Sequence, residues 1–256
     1  MKSFVTILGC GSSLGVPWSN GYWGKCNPKN SKNIRTRCSI LITKGNNNIL
    51  IDTTPDLRFQ LIKNKVSNIS YVLYSHQHGD QTHGINDLRS FFIKNKKHVN
   101  IFGNNETLNY LKNNFTYLFK GNDYYPQILK ANLIKKKFSL TYKNSKINFK
   151  TIEVAHGKVK SVGYIFNKTA YISDCSKIEK SQFKFLKNLK YLIIDCLRFK
   201  PHYTHLCYDD VIKIIKILLP KKTILTNLHT DMDYNYLLKK VPSHVKPAYD
   251  NMKLYL

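Results

Sequence analysis

Short runs of β-branched and aromatic residues recur along the whole chain, and many of them are apolar at every position, as in residues 71–74 and 191–194. Such runs are typical of strands that are covered on both faces. The pattern predicts eleven strands, over residues 4–10, 38–44, 48–52, 71–75, 99–103, 138–143, 147–155, 162–167, 170–173, 191–195 and 223–226. Residues 45–48, Gly-Asn-Asn-Asn, predict a hairpin turn between two of them.

Helical periodicity appears between and after these strands. Apolar residues three and four apart predict helices over residues 56–64, 106–119, 181–189, 209–219 and 234–240. The clearest is 209–219, which has Asp209 and Asp210 in its first turn and ends before Pro220. With no repeat and no Pro/Gly/Ser linker, the simplest layering is one α/β domain over residues 1–256, with stacked sheets flanked by helices.

The composition is that of a globular protein, with 42% apolar and 22% charged residues in 256. We expect no membrane span, because no apolar run approaches the roughly 18 residues that a span needs. The first ten residues predict a strand rather than a secretion signal. Six cysteines without a C-x-x-C pair favour reduced, buried thiols, and together these features predict a cytoplasmic protein.

The net charge of +26 has two interpretations. Lysine supplies 36 of the 41 basic residues and is scattered, whereas phosphate-reading surfaces normally rely more on arginine. We therefore favour a solvated surface of compositional origin. Attraction of an anionic substrate or of RNA is the alternative, and binding to nucleic acid is not favoured.

A cluster of histidines follows the apolar run at 71–74. Residues 75–84 read Ser-His-Gln-His-Gly-Asp-Gln-Thr-His-Gly, which places His76, His78, Asp80 and His83 within eight residues. Imidazoles two positions apart can face one ion from an irregular turn, and Gly79 permits such a turn. A nearby carboxylate adds a hard oxygen ligand. The sequence therefore favours a metal site over a polar loop with incidental histidines.

Acids and imidazoles also stand at the ends of other predicted strands. Asp52, His156, Asp174 and His229 each follow a run of apolar residues. Singly, each is more often a cap or a satisfied polar residue. Together with the histidine cluster, they indicate one rim of a sheet sandwich.

This order of residues resembles the metallo-β-lactamase superfamily, over nearly the whole chain. Residues 9–17 (Gly-Cys-Gly-Ser-Ser-Leu-Gly-Val-Pro), 37–39 (Arg-Cys-Ser) and 204–206 (Thr-His-Leu) are similar to one branch of it, which contains the phosphoribosyl 1,2-cyclic phosphate phosphodiesterases. The resemblance implies an αββα sandwich with a dinuclear metal site at its edge.

The resemblance also implies roles for individual residues. His76, His78 and His156 would hold the first metal, Asp174 would bridge the two metals, and Asp80 would be a ligand of the second. Asp52 would orient the ligand loop without touching an ion. His205 matches a proposed general acid, although it is equally a plain loop histidine. Asp80 and His205 are therefore the candidate catalytic residues.

Two positions depart from the superfamily pattern. Gln81 and Asn227 stand where it has histidines, and both missing histidines belong to the second metal. That site is lost, weakened to an oxygen-rich site with Gln81 and Asn227, or rebuilt with His229 or His83. We expect one tightly bound Zn²⁺ or Mn²⁺ and at most a weaker second ion.

These features predict a metal-dependent hydrolase that acts on a small, anionic, cyclic or linear phosphodiester through metal-activated water. Three alternatives stay open: a tRNase Z-like nuclease, a thioester or lactone hydrolase, and a degenerate member that binds metal or nucleic acid without turnover. The oligomeric state is also open, with a homodimer as one option.

Overall fold

Two mixed seven-stranded sheets form the centre of the protein. The computed structural model describes residues 3–122 and 124–256. The first sheet has the order β14-β1-β2-β3-β4-β5-β6. Its strands are β1 (Ser3–Gly9), β2 (Ser39–Lys44), β3 (Asn47–Ile51), β4 (Tyr71–Leu73), β5 (Val99–Gly103), β6 (Leu129–Leu133) and β14 (Met252–Tyr255). The tight β2–β3 connection confirms the hairpin predicted at 45–48.

The second sheet has the order β13-β12-β11-β10-β9-β8-β7. Its strands are β7 (Lys137–Tyr142), β8 (Ser145–His156), β9 (Val159–Phe166), β10 (Thr169–Ile172), β11 (Tyr191–Asp195), β12 (Lys222–Thr226) and β13 (Val245–Pro247). The α-helices are α1 (Leu57–Lys63), α2 (Gly79–Thr82), α3 (Arg89–Asn95), α4 (Asn105–Asn114), α5 (Thr116–Phe119), α6 (Tyr208–Leu218) and α7 (Tyr234–Lys240). Short 3₁₀ turns occupy Ser31–Asn33, Ile85–Leu88 and Lys180–Phe185.

Alternation along the central strands produces the layering. On β3, Ile49 and Ile51 face the core between the two sheets, whereas Leu50 faces the helices on the other side. On β11, Ile193 enters the central core and Ile194 packs in the cluster that contains α6. Strands with both faces apolar must be covered on both faces. The resulting αββα sandwich confirms the predicted fold class.

One edge of the sandwich collects the carboxyl ends of parallel strands from both sheets. β3 and β4 run parallel in the first sheet, and β10, β11 and β12 run parallel in the second. Val162 N donates to Ser75 O at 3.0 Å, and Leu228 N donates to Cys10 O at 2.8 Å, so backbone bonds join the two sheets at this edge. Side chains that follow these strands therefore meet in one place.

The predicted elements differ from the structure mainly at the edges of the sheets. The unpredicted strands β6, β13 and β14 are all edge strands, whose half-exposed faces carry a weak apolar signal. The predicted helix over 106–119 is two helices, because Phe115 leaves helical backbone geometry. The prediction over 181–189 was wrong in type, since a 3₁₀ turn forms there, and α2 and α3 were not predicted.

Among the described residues, none of the helices is both long enough and apolar enough to span a bilayer.

Candidate metal centre

Three imidazoles converge at this edge of the sandwich. His76 and His78 follow β4, and His156 is the last residue of β8. His78 Nδ1 lies 3.0 Å from His76 Nε2 and 3.1 Å from His156 Nε2. Two imidazole nitrogens bound to one tetrahedral Zn²⁺ at about 2.05 Å would lie about 3.3 Å apart. The spacing of these three nitrogens therefore fits a single divalent ion.

Hydrogen bonds on the far side of two rings select the nitrogens that face inward. His76 Nδ1 lies 3.0 Å from Ser75 Oγ. His156 Nδ1 lies 2.7 Å from the carbonyl oxygen of Thr204 and donates to it. Because a carbonyl can only accept, His156 Nε2 is left with a lone pair that points at His78. His76 Nε2 has its lone pair toward His78 when Ser75 Oγ accepts from His76 Nδ1. Metal-binding histidines are commonly fixed in this way.

A glycine allows the Thr204 loop to approach His156. Gly157 has φ +60°, and a Cβ built on it would lie 2.6 Å from Thr204 Cγ2. A side chain at this position would be strained by the positive φ and would have to displace the methyl group of Thr204, the residue whose carbonyl orients the ring.

The protonation states of the three rings suit metal binding. Burial lowers the pKa of His76 to about 3 and also lowers the pKa values of His78 and His156. Asp174 opposes this effect at all three rings without reversing it. Neutral imidazoles offer the lone pairs that a divalent cation needs.

Asp174 lies beside this group, two residues past the end of β10. It forms a second set of convergent ligand atoms with His156 and His205, in which every pair lies within 4.8 Å. Burial alone would raise its pKa, but the surrounding rings of His76, His205 and His156 outweigh burial and lower it. An ionised carboxylate therefore adjoins the three imidazoles.

Asp80, in the first turn of α2, belongs to neither set of ligand atoms. Its Oδ2 accepts a hydrogen bond from Gln81 Nε2 at 3.3 Å. Burial, together with the charge of Asp174, raises the pKa of Asp80 to about 6.

Asp52 lies beneath the histidine loop and is fully buried. Its Oδ1 accepts from Ser75 N at 2.7 Å, which ties the start of the loop to the end of β3. Its backbone is left-handed, with φ 67°, a conformation that Asp and Asn tolerate better than most residues. Its contacts are those of a residue that positions the ligand loop.

His205 is paired with a carboxylate that the sequence analysis did not single out. His205 Nδ1 lies 2.8 Å from Asp195 Oδ2, at the end of β11. Burial opposes a charge on the ring, but Asp195 and then Asp174 outweigh it and raise the pKa of His205 to about 9. Asp195 closes a predicted apolar strand, as Asp52 does, and this position was the signal that could have identified it.

The structure does not bring the other two histidines to the site. His83 Nε2 lies 2.9 Å from Tyr110 Oη, and the two rings are nearly parallel, with centroids 6.4 Å apart. His229 lies against Trp18, with its Nδ1 3.7 Å from Asp231. Within residues 3–122 and 124–256, the convergent sets of ligand atoms contain neither of these histidines.

Comparison with known proteins agrees with this geometry. Residues 47–227 match the beta-lactamase superfamily domain. The chain belongs to this family. The family implies a divalent metal ion, and the three-imidazole group beside Asp174 fits such an ion.

Similar solved structures cover the whole fold. The crystal structure of a diphosphatase from the PhnP family is 28% identical, with a TM-score of 0.91, and the match covers 100% of this chain and 98% of that one. Zn²⁺-bound PqqB from Methylobacterium extorquens is 15% identical, with a TM-score of 0.80 and coverage of 99% and 100%. The short form of human tRNase Z is 16% identical, with a TM-score of 0.69 and coverage of 98% of both chains. The last two share the fold alone.

One curated relative is named as a transferase rather than as a hydrolase. An octanoyltransferase of Porphyromonas gingivalis is 27% identical over 251 residues, which are 96% of this chain and 50% of that protein. The chain thus spans about half the length of the curated relative that it matches.

Proposed function

We propose that this protein is a metal-dependent hydrolase that cleaves a phosphoester bond in a small phosphodiester. The observation that carries the proposal is the three-imidazole group and Asp174 placed directly beside the His205–Asp195 pair. The full-length similarity to a PhnP-family diphosphatase supports the same reaction class. Residues 1–256 act as one catalytic domain in this proposal.

His76, His78 and His156 would hold the ion, with Asp174 as the neighbouring carboxylate. The chemistry that such an ion would supply is Lewis acidity toward a phosphoryl oxygen and toward water, whose pKa it would lower toward about 7. Three imidazoles favour Zn²⁺, and Mn²⁺ is the alternative when oxygen ligands contribute more.

Two side chains move protons in this proposal. Asp80 accepts a proton from the attacking water through Oδ1, because its Oδ2 is held by Gln81. His205 donates its Nε2 proton to the leaving oxygen, because Nδ1–H is held by Asp195 at 2.8 Å. Asp195 fixes the tautomer of His205 and stabilises its positive charge, as the carboxylate of a catalytic triad does.

The substrate is a small anion in this proposal. The positive electrostatic potential of a chain with a net charge of +26 raises the local concentration of phosphates, and this attraction does not depend on a nucleotide sequence. All six cysteines are buried and unpaired, which supports a reducing, cytoplasmic location.

The test compares esters with good and poor leaving groups. The protein loaded with Zn²⁺ or Mn²⁺ should hydrolyse bis(4-nitrophenyl) phosphate, which releases nitrophenolate, and, more slowly, a ribose cyclic phosphodiester, which releases an alkoxide. His205→Ala should lower kcat by about 10²–10⁴-fold for an alkoxide leaving group, and by less for nitrophenolate, which needs no proton. His83→Ala, in the same loop system but outside the site, is the matched control.

Other substrates decide between this proposal and its alternatives. Hydrolysis of an octanoyl thioester or cleavage of a tRNA precursor, without hydrolysis of either phosphodiester, would overturn it. Metal retention without turnover on any of these substrates would favour a non-catalytic member of the family.

A further inference from the structure

One neutral side chain spans the two carboxylates of the site. Gln81 Nε2 donates to Asp80 Oδ2 at 3.3 Å and to Asp174 Oδ2 at 3.2 Å. Carboxylates this close in a buried site repel each other unless a cation or hydrogen-bond donors lie between them. Gln81 places both hydrogens of one amide in that gap.

A second amide holds the other oxygen of Asp174. Asn227 Nδ2 donates to Asp174 Oδ1 at 3.1 Å and to Ser173 O at 3.0 Å. Each carboxylate oxygen of Asp174 therefore accepts one amide hydrogen. Gln81 and Asn227 are 1% and 2% exposed, so these bonds are shielded from water.

The carboxylates themselves determine which way the amides point. If the amide of Gln81 were turned over, its oxygen would face two carboxylate oxygens at 3.2 and 3.3 Å, with no proton between them. If that of Asn227 were turned over, its oxygen would face Asp174 Oδ1 and a backbone carbonyl. The one donor beside it would be His205 Nδ1 at 3.3 Å, whose hydrogen is already held by Asp195 at 2.8 Å. Buried lone pairs in such contact are strongly unfavourable, so both residues present N–H groups here.

We propose that Gln81 and Asn227 take the place of a second metal ion. The site then holds a single divalent ion, on the three imidazoles beside Asp174, and Asp80 is balanced by an amide rather than by an ion. His83 and His229 supply no replacement ligand, since each is engaged elsewhere. This inference rests on the metal site of the proposed function, and it concerns the number of ions rather than the reaction.

The experiment counts metal ions rather than turnover. Protein is loaded with excess Zn²⁺, passed through gel filtration into metal-free buffer and analysed for zinc per chain. The natural protein should retain one ion. Gln81→His combined with Asn227→His should retain two, and either change alone should retain fewer than two. Asn95→His, at the exposed end of α3, adds a histidine away from the site and should leave the count at one.

A second variant keeps the test decisive if the double histidine variant does not fold. Asp80→Asn should still retain one ion, because Asp80 is not a ligand of that ion. Two tightly held ions in the natural protein would overturn the inference, as would loss of the ion from a folded Asp80→Asn variant. A folded double variant that retains one ion would do the same.

Different results would refute the proposed function and the proposed number of metal ions. A protein that retains one ion but hydrolyses no phosphodiester would end the proposed function and leave this inference standing. A protein that hydrolyses phosphodiesters and retains two ions would end only this inference.

Discussion

Replacing His78 tests the metal centre most directly, because its Nδ1 is the atom that the other two rings share. It lies 3.0 and 3.1 Å from their inward nitrogens. His78 is also the exposed member of the group, so His78→Ala leaves no buried cavity. We therefore expect the free energy of unfolding of the metal-free variant to lie within about 1 kcal/mol of that of the metal-free natural protein.

The loss should appear as a smaller stabilisation by metal. Removing a residue that merely supports a ligand costs about 10–100-fold in metal affinity, so removing a ligand should cost at least about 100-fold. A hundredfold loss removes about 2.7 kcal/mol of the stabilisation that saturating metal provides. For a chain of this size that corresponds to about 5–11 °C less of a metal-induced rise in Tm.

The assay is thermal unfolding with and without Zn²⁺, together with zinc content after gel filtration. His83→Ala is the control, because His83 Nε2 contacts Tyr110 Oη rather than the other three histidines, and this variant should leave both measurements unchanged. A His78→Ala variant with the natural zinc content and the full metal-induced rise in Tm would refute the assignment of the three imidazoles.

Three further changes probe the surroundings of the centre. Gly157→Ala should destabilise the protein by about 1–3 kcal/mol in urea unfolding and weaken zinc retention, because φ is +60° and the new Cβ would lie 2.6 Å from Thr204 Cγ2. Unchanged stability would contradict the close approach of Gly157 and Thr204. Asp195→Asn keeps an acceptor for His205 but removes the negative charge of the carboxylate. We expect kcat to fall by about 10²-fold or more, while KM and zinc content stay the same. Loss of zinc would instead show that Asp195 has a role in metal binding. Arg35→Met should cost about 1–3 kcal/mol by urea unfolding, because the buried guanidinium donates to Met232 O at 2.6 Å, and that carbonyl would lose this donor. Asn33 Oδ1, which accepts from Arg35 at 3.1 Å, would keep its bond from Tyr234 N. A cost below 1 kcal/mol would show that Met232 O finds another donor.

The central strands could be predicted from the sequence because their environment leaves little choice. Strands such as β4 and β11 are apolar on both faces, and a run of that kind is stable only inside a covered sheet. The edge strands β6, β13 and β14 were missed because each is short and mixes exposed with buried positions, so pairing with a neighbour, not composition, makes them strands.

The residues of the candidate site also fall into those that the sequence predicted and those that only the structure revealed. The spacing of His76, His78 and Asp80 on one loop carried the metal prediction, since residues so close in the chain have few ways to avoid one another. Asp195 went unnoticed because its importance depends on His205, which lies ten residues away in the loop before α6. A single carboxylate at the end of a strand has many ordinary uses, and only its partner distinguishes it.

The sequence by itself determined the stacked sheets with flanking helices, the histidine-rich loop and the absence of histidine at positions 81 and 227, because apolar periodicity and local spacing are properties of the chain alone. Only the tertiary structure decided that the amides of Gln81 and Asn227 turn their hydrogens toward Asp174, and that His83 and His229 lie elsewhere. Amide orientation and ring direction depend on which charges are brought within about 3 Å, and the sheets bring those charges together from strands far apart in the chain.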